Sequence, residues 1–140
     1  MKNKLLLRIA SIVMLLHTIG HSIGAFTWRD APNLTVAGVI QGMDNVHFEF
    51  FGKQVTLGLF FQGYGVEMIA VYLFITLLLW LSGTYLQEKM TRKLLPLLMA
   101  LLLFFAAAEW VYFFALPAVM ATVAAVLTVV AFFRSGAERP

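Results

Sequence analysis

Runs of apolar residues long enough to cross a bilayer constrain this chain more than anything else in it. A helix needs about 20 such residues to span a hydrocarbon core roughly 30 Å thick. Four runs meet that length: Leu5–Phe26, Leu57–Leu81, Leu94–Ala115 and Leu116–Phe133. Only 12% of the residues are charged and 61% are hydrophobic, against about 25% and roughly 45–50% in a soluble domain. The predicted fold class is therefore all-α: a four-span transmembrane helix bundle forming one integral membrane domain over residues 1–140. The last two runs meet at Leu116-Pro117. Proline is tolerated at a helix start and stops the helix before it, so a tight hairpin is expected there.

The first run also carries features of a signal peptide: Lys2 and Lys4 ahead of the apolar Leu5–Leu16, and Ala25 at a cleavage-like position. Its apolar character continues to Phe26, and two histidines interrupt its second half. The expectation is an uncleaved first helix.

Basic residues set the orientation. Lys2, Lys4, Arg8, Lys89, Arg92, Lys93, Arg134 and Arg139 fall on one side of the spans, and only Arg29 and Lys53 on the other. The positive-inside rule then predicts a multi-pass protein of the plasma (inner) membrane with both termini in the cytoplasm. The run from Glu88 to Lys93 reads as a cytoplasmic loop. The net charge of +3 comes from these flanks and does not suggest a nucleic-acid partner. There is no cysteine, which excludes disulfides, thiolate nucleophiles and Cys-based metal or iron–sulfur sites.

The connection from Thr27 to Thr56 exceeds a plain hairpin loop. Val36, Val39, Ile40, Met43, His47, Phe50 and Phe51 recur at helical spacing, predicting an amphipathic helix over about residues 36–51, ended by Gly52. It is expected on the outer surface with its apolar face toward the bundle.

Ionisable side chains inside a span are costly and usually mark a site. His17 and His21 share a helix face one turn apart, and Glu67 and Glu109 lie in the second and third spans. A rise of about 1.5 Å per residue puts His17 and His21 at roughly 18 and 24 Å from the inner end, Glu109 at roughly 22 Å and Glu67 at about 16–23 Å. These four are the candidate catalytic residues, expected as one proton-sharing layer in the outer half of the membrane. Glu67 shares a stripe with Phe60, Gly63, Tyr64, Ala70, Val71 and Phe74; Glu109 shares one with Phe105, Ala106, Tyr112 and Phe113. His47, Tyr64, Phe105 and Tyr112 are the candidate ligand-binding residues. Gly20 and Gly24 form a small-xxx-small pair that predicts close helix approach beside the histidines.

Three functions fit this pattern, and whether the chain is an enzyme stays open. The first is a polar pocket that binds, and in its fullest form transforms, a small apolar ligand such as an isoprenoid, quinone or sterol-like molecule by acid/base chemistry. The second is a metal or haem cofactor held by His17, His21, Glu67 and Glu109, with His47 as a further axial candidate. The third is a structural subunit whose polar layer sets helix register. The expected partners are the lipid bilayer, the apolar ligand and further subunits of an oligomer.

The motif His17-x-x-x-His21-x-x-Gly24, with a Gly63-Tyr64-Gly65 turn into the second span, resembles small bacterial four-helix membrane proteins. That resemblance implies the layout and no particular activity. More distantly, intramembrane His and Glu residues in a small bundle resemble the sterol-isomerase and sigma-2-receptor group, where acidic residues on several helices line an apolar pocket. The His-x-x-x-Glu spacing of that group is absent, because position 21 is histidine.

Overall fold

The structure, a computed structural model, describes residues 2–86 and 89–137. Glu88 of the inner connection and Arg139 of the basic flank lie outside the described residues. Five helices and one small hairpin follow in order: α1 (Lys2–Thr27), α2 (Leu34–Asn45), β1 (Phe48–Phe50), β2 (Lys53–Val55), α3 (Leu57–Thr84), α4 (Lys89–Tyr112) and α5 (Ala115–Ala137). Four of them, α1, α3, α4 and α5, are long and apolar enough to cross a membrane. Lys89–Lys93, expected as loop, is the first turn of α4. The α4–α5 turn falls at Phe113-Phe114, with Pro117 in the first turn of α5, where its missing N–H costs nothing.

The described residues divide into two compact units. One holds the chain up to Thr18 and from Val71 onward. Its largest fully buried side chains are Leu7, Met14, Ile75, Leu79, Leu95, Leu102 and Thr128. Ser11 Oγ donates to the Thr76 carbonyl (2.8 Å), and Lys4 Nζ to the Thr84 carbonyl (3.3 Å) in the last turn of α3. A cation there also complements the helix dipole. A Cβ on Gly83 would lie 3.1 Å from the Lys4 carbonyl oxygen, so the bare glycine is what admits the α1 backbone. On α5 the buried residues Ala118, Ala121, Ala124, Ala125 and Ala131 give a small-residue face, of the kind that lets membrane helices approach closely. Trp110 Nε1 on α4 donates to Thr122 Oγ1 on α5 (3.1 Å).

The second unit is Ile19–Ala70. Asn33 caps α2 by accepting from the Val36 N–H (3.0 Å). The expected helix over 36–51 stops at Asn45, and the chain turns into an antiparallel hairpin pairing Phe48 with Val55 and Phe50 with Lys53. The reason lies in a coincidence of periods. Met43, His47 and Phe50 fit a helical stripe, but Phe48 and Phe50 also alternate around Glu49, and aromatic residues favour strands. The turn decides. Phe51 (φ 49°) and Gly52 (φ 76°) are both left-handed, the geometry that joins two strands through a two-residue loop. Gly52 thus closes a hairpin and does not end a helix.

No residue of α2 is buried, so its apolar face is packed only in part: Ile40 and Met43 are half-buried, whereas Val36 and Val39 are exposed. What holds this region is polar. Arg29 grips the Asp44 carboxylate with two donors, Nε at 2.8 Å and Nη2 at 3.0 Å. Its Nη1 reaches Gln62 Oε1 (3.0 Å), which also accepts from Trp28 Nε1 (2.9 Å), while Gln62 Nε2 donates to the Ala25 carbonyl (3.1 Å). One loop arginine therefore ties α2 to α3 beside the end of α1.

The Arg29 guanidinium holds the Asp44 carboxyl below the usual carboxylate range through hydrogen bonding, against a weaker opposing effect of desolvation. A lowered native value means the stabilisation is full above the ordinary carboxylate range, near about 3.9, and fades as pH falls through the native value. The stability difference between wild type and Asp44→Asn in detergent, measured by thermal unfolding, is expected at neutral pH and should vanish in acid. Gly58 supplies a second check. A Cβ there would collide with the Asp44 carboxylate and sit 3.2 Å from the Met43 carbonyl oxygen. Gly58→Ala should destabilise by about 1–3 kcal/mol, and by clearly less when Asp44 is alanine.

Candidate functional site

The buried polar centre of the chain is built from three helices. His17 on α1 and Glu109 on α4 meet with Nε2 and Oε1 2.9 Å apart, their side chains 2% and 4% exposed. Tyr72 on α3, also buried, donates its hydroxyl to the same Oε1 (3.1 Å). The His17 and Tyr72 rings are in edge-to-face contact at 4.6 Å between centroids, and Phe105 lies edge-on to Tyr72 at 5.4 Å. All four belong to the first unit.

Local sequence explains the assembly. His17 is one turn from the buried Met14 and two turns from the buried Ala10, on the buried face of α1. Glu109 lies one turn below the end of α4, with Ala106 buried beneath it. Tyr72 precedes Ile75 and Leu79 on the buried face of α3.

The hydrogen bonding of this cluster is incomplete. His17 Nε2 is close to Glu109 Oε1, but its N–H is not aligned on that oxygen. His17 Nδ1 and Glu109 Oε2 are buried and have no hydrogen-bond partner among the described residues. Both ring nitrogens of His17 and one carboxylate oxygen of Glu109 thus keep free hydrogen-bonding capacity, although Nε2 and Oε1 stand 2.9 Å apart. Each unsatisfied buried group costs about 1–3 kcal/mol, and a charged one more.

The other expected site residues go elsewhere. His21 is partly buried, with Nε2 3.0 Å from the Gly65 carbonyl oxygen. A carbonyl only accepts, so His21 carries a proton on Nε2. The same Gly65 lies against Ala25, whose Cβ would be 3.1 Å from an added Cβ. Gly63, Tyr64 and Gly65 are therefore helical, one segment of α3 and no turn. Glu67 is exposed on α3, as are Gly63, Tyr64, Ala70 and Phe74, so the stripe expected to face inward faces outward. Gly20 and Gly24 stand in open space, with no close helix approach. His47 is exposed between α2 and β1, its Nδ1–H donating to the Asn45 carbonyl (3.0 Å). Tyr112 is 80% exposed at the α4–α5 tip. Of the expected ligand-binding residues, Phe105 alone is in contact with the cluster.

The metal reading finds no geometry to support it. Among the described residues, no group of three or more His, Asp or Glu side chains is placed to hold an ion. His17 and Glu109 supply two donors, short of a first shell.

Sequence reasoning overlooked Tyr72, although a signal was present. Tyr64 and Tyr85 lie near span ends, where aromatic belts account for them. Tyr72 sits mid-span, where its hydroxyl needs a partner inside the protein.

Comparison with protein-family models, with curated proteins and with solved structures finds no match for this chain. The functional reading consequently rests on the site itself.

The Tyr72–Glu109 bond admits a direct check. A double-mutant cycle of Tyr72→Phe and Glu109→Gln, read by thermal or denaturant unfolding in detergent, should show a coupling of about 0.6–1.7 kcal/mol, the range of polar contacts between membrane helices. His21→Phe combined with Glu109→Gln should be additive.

Proposed function

We propose that this chain is a multi-pass plasma-membrane protein, both termini cytoplasmic, whose His17–Glu109–Tyr72 cluster binds a small apolar molecule through one oxygen atom and exchanges a proton with it. The basic residues on the Lys4, Lys89 and Arg134 side support the orientation. One observation carries the functional reading: the free His17 Nδ1 and Glu109 Oε2, both buried, on a pair whose other atoms are 2.9 Å apart.

That combination suits a hydroxyl or carbonyl oxygen. Such an atom accepts from a histidine N–H, and a hydroxyl also donates to a carboxylate. The rest of the ligand would meet Phe105 and the apolar surfaces around it, as an isoprenoid alcohol, a quinone or a sterol-like molecule would. Proton exchange follows from the pair itself. Imidazole and carboxyl groups are both general acid/base groups, and a ligand oxygen within reach of His17 and Glu109 has a proton donor or acceptor on either side. Tyr72 fixes the orientation of the carboxylate by donating to Oε1, leaving Oε2 for the ligand.

A structural role is the second reading, and a specific observation favours it too. The same contacts join α1, α3 and α4, as a register-setting layer would.

Mass spectrometry of small molecules co-purifying with detergent-extracted protein separates the two. The ligand reading expects an enriched oxygen-bearing apolar species near stoichiometric occupancy, lost in His17→Leu and retained in His21→Leu. An intact wild-type protein with no enriched species, or one whose species persists in His17→Leu, would leave only the structural role.

A further inference from the structure

We infer that the outward face of α3 centred on Glu67 is a self-association surface, at which two copies of this chain meet with their Glu67 carboxyl groups hydrogen-bonded to one another.

The argument starts from depth. Gln62 on α3 is bonded to Arg29, a side chain 45% exposed and engaged with Asp44, which places that level of the helix at the polar boundary. Glu67 lies five residues deeper on the same helix, about 7.5 Å into the hydrocarbon. Toward the other end, Trp80 lies beneath the guanidinium of Arg8, at 5.2 Å from the ring centroid, marking the opposite boundary. Glu67 is therefore inside the apolar layer, yet its side chain is exposed. A carboxyl group against lipid is among the most unfavourable placements a span can contain. His17 and Glu109 relieve the same difficulty by facing one another; Glu67 has no such neighbour among the described residues, and a second copy can supply one.

The neighbours of Glu67 indicate what that is. Gly63 precedes it by four residues and Ala70 follows it by three, so the three residues lie on one helix face. Gly63 and Ala70 are exposed, and nothing stands within 4 Å of a Cβ built on Gly63. Small residues on a shared helix face let two helix backbones approach closely in a membrane. A two-fold axis along the membrane normal sets Gly63 against Gly63, Ala70 against Ala70 and Glu67 against Glu67. It thereby brings together the two smallest positions of each stripe and the one polar group. Carboxyl groups are self-complementary: a protonated one donates its O–H to an oxygen of the other and accepts in return. A second copy thus satisfies Glu67 with no residue type that this face lacks.

The absence of cysteine makes the test direct, because a single introduced cysteine has no partner within the chain and a cross-linked species of twice the chain mass reports two copies. Ala70→Cys lies on the proposed face; Phe61→Cys is also exposed but lies about 120° around the helix from Glu67 and about 180° from Ala70. Oxidation in native membranes at low expression should cross-link Ala70→Cys at least about tenfold more than Phe61→Cys. Adding Glu67→Leu should lower the Ala70→Cys yield by about tenfold, equivalent to about 1.4 kcal/mol. Glu67→Gln, whose carboxamide is also self-complementary, should keep most of it. Far-ultraviolet circular dichroism and membrane yield confirm that each variant is inserted and helical; one that is not is replaced by Gly63→Ile, which blocks the approach and leaves Glu67 in place. Equal cross-linking at the two positions, or a yield that survives both Glu67→Leu and Gly63→Ile, overturns the inference.

Discussion

Hydrocarbon offers no hydrogen bonds, and the placement of most hydroxyl-bearing and several other polar side chains in the four long helices follows from that constraint. The threonines meet it locally. Thr18, Thr27, Thr76, Thr84, Thr122 and Thr128 each donate to the carbonyl four residues back, satisfying their hydroxyls within their own helix. Their hydroxyl protons need no partner helix, although Thr122 Oγ1 also accepts from Trp110 on α4. Ser11, His17, His21, Gln62, Tyr72 and Glu109 do otherwise and reach across to another element. Together with Lys4 and Trp110, these groups tie the helix faces that turn inward.

Close contact between α1 and α3 depends on missing side chains in both units. Gly83 receives the backbone of Lys4 in one, and Gly65 receives Ala25 and the His21 hydrogen bond in the other. At each of these glycines an added methyl group would press on its neighbour, whereas at Gly20, Gly24 and Gly63 it would meet nothing. The chain therefore uses glycine in two ways: to bring its own helices together, and to leave parts of their outer surface flat. Spacing alone cannot tell these apart, which is why Gly20 and Gly24 read as a packing pair.

The fold class was legible because it rests on long-range averages: four apolar runs and a charge deficit leave little alternative to spanning helices. The errors arose where a pattern was short or two-sided. Residues 46–51 satisfy a helical period and a strand period together, and the left-handed Phe51-Gly52 turn chose the strand. Glu67 and its stripe offered one smooth face with a carboxylate on it, and interior and exterior faces look alike when lipid, too, is apolar. The His17–Glu109 pair was legible because both are ionisable and of similar depth. Tyr72 was not, since tyrosine is common in membrane helices and becomes notable only through its mid-span position.

Burial of the His17–Glu109 pair bears on why such a cluster persists. A register device works best when fully satisfied, because each unpaired buried atom subtracts from the stability the device supplies. This cluster is satisfied on one side only: Oε1 of Glu109 has two neighbours while Oε2 and His17 Nδ1 have none among the described residues. Hydrophobic residues of similar volume would hold three helices together at lower cost. An arrangement that orients a carboxylate with a tyrosine, sets a histidine beside it and leaves one atom of each unfilled is poorly explained as architecture. That unused hydrogen-bonding capacity is what supports the proposed ligand-binding reading over a purely architectural one.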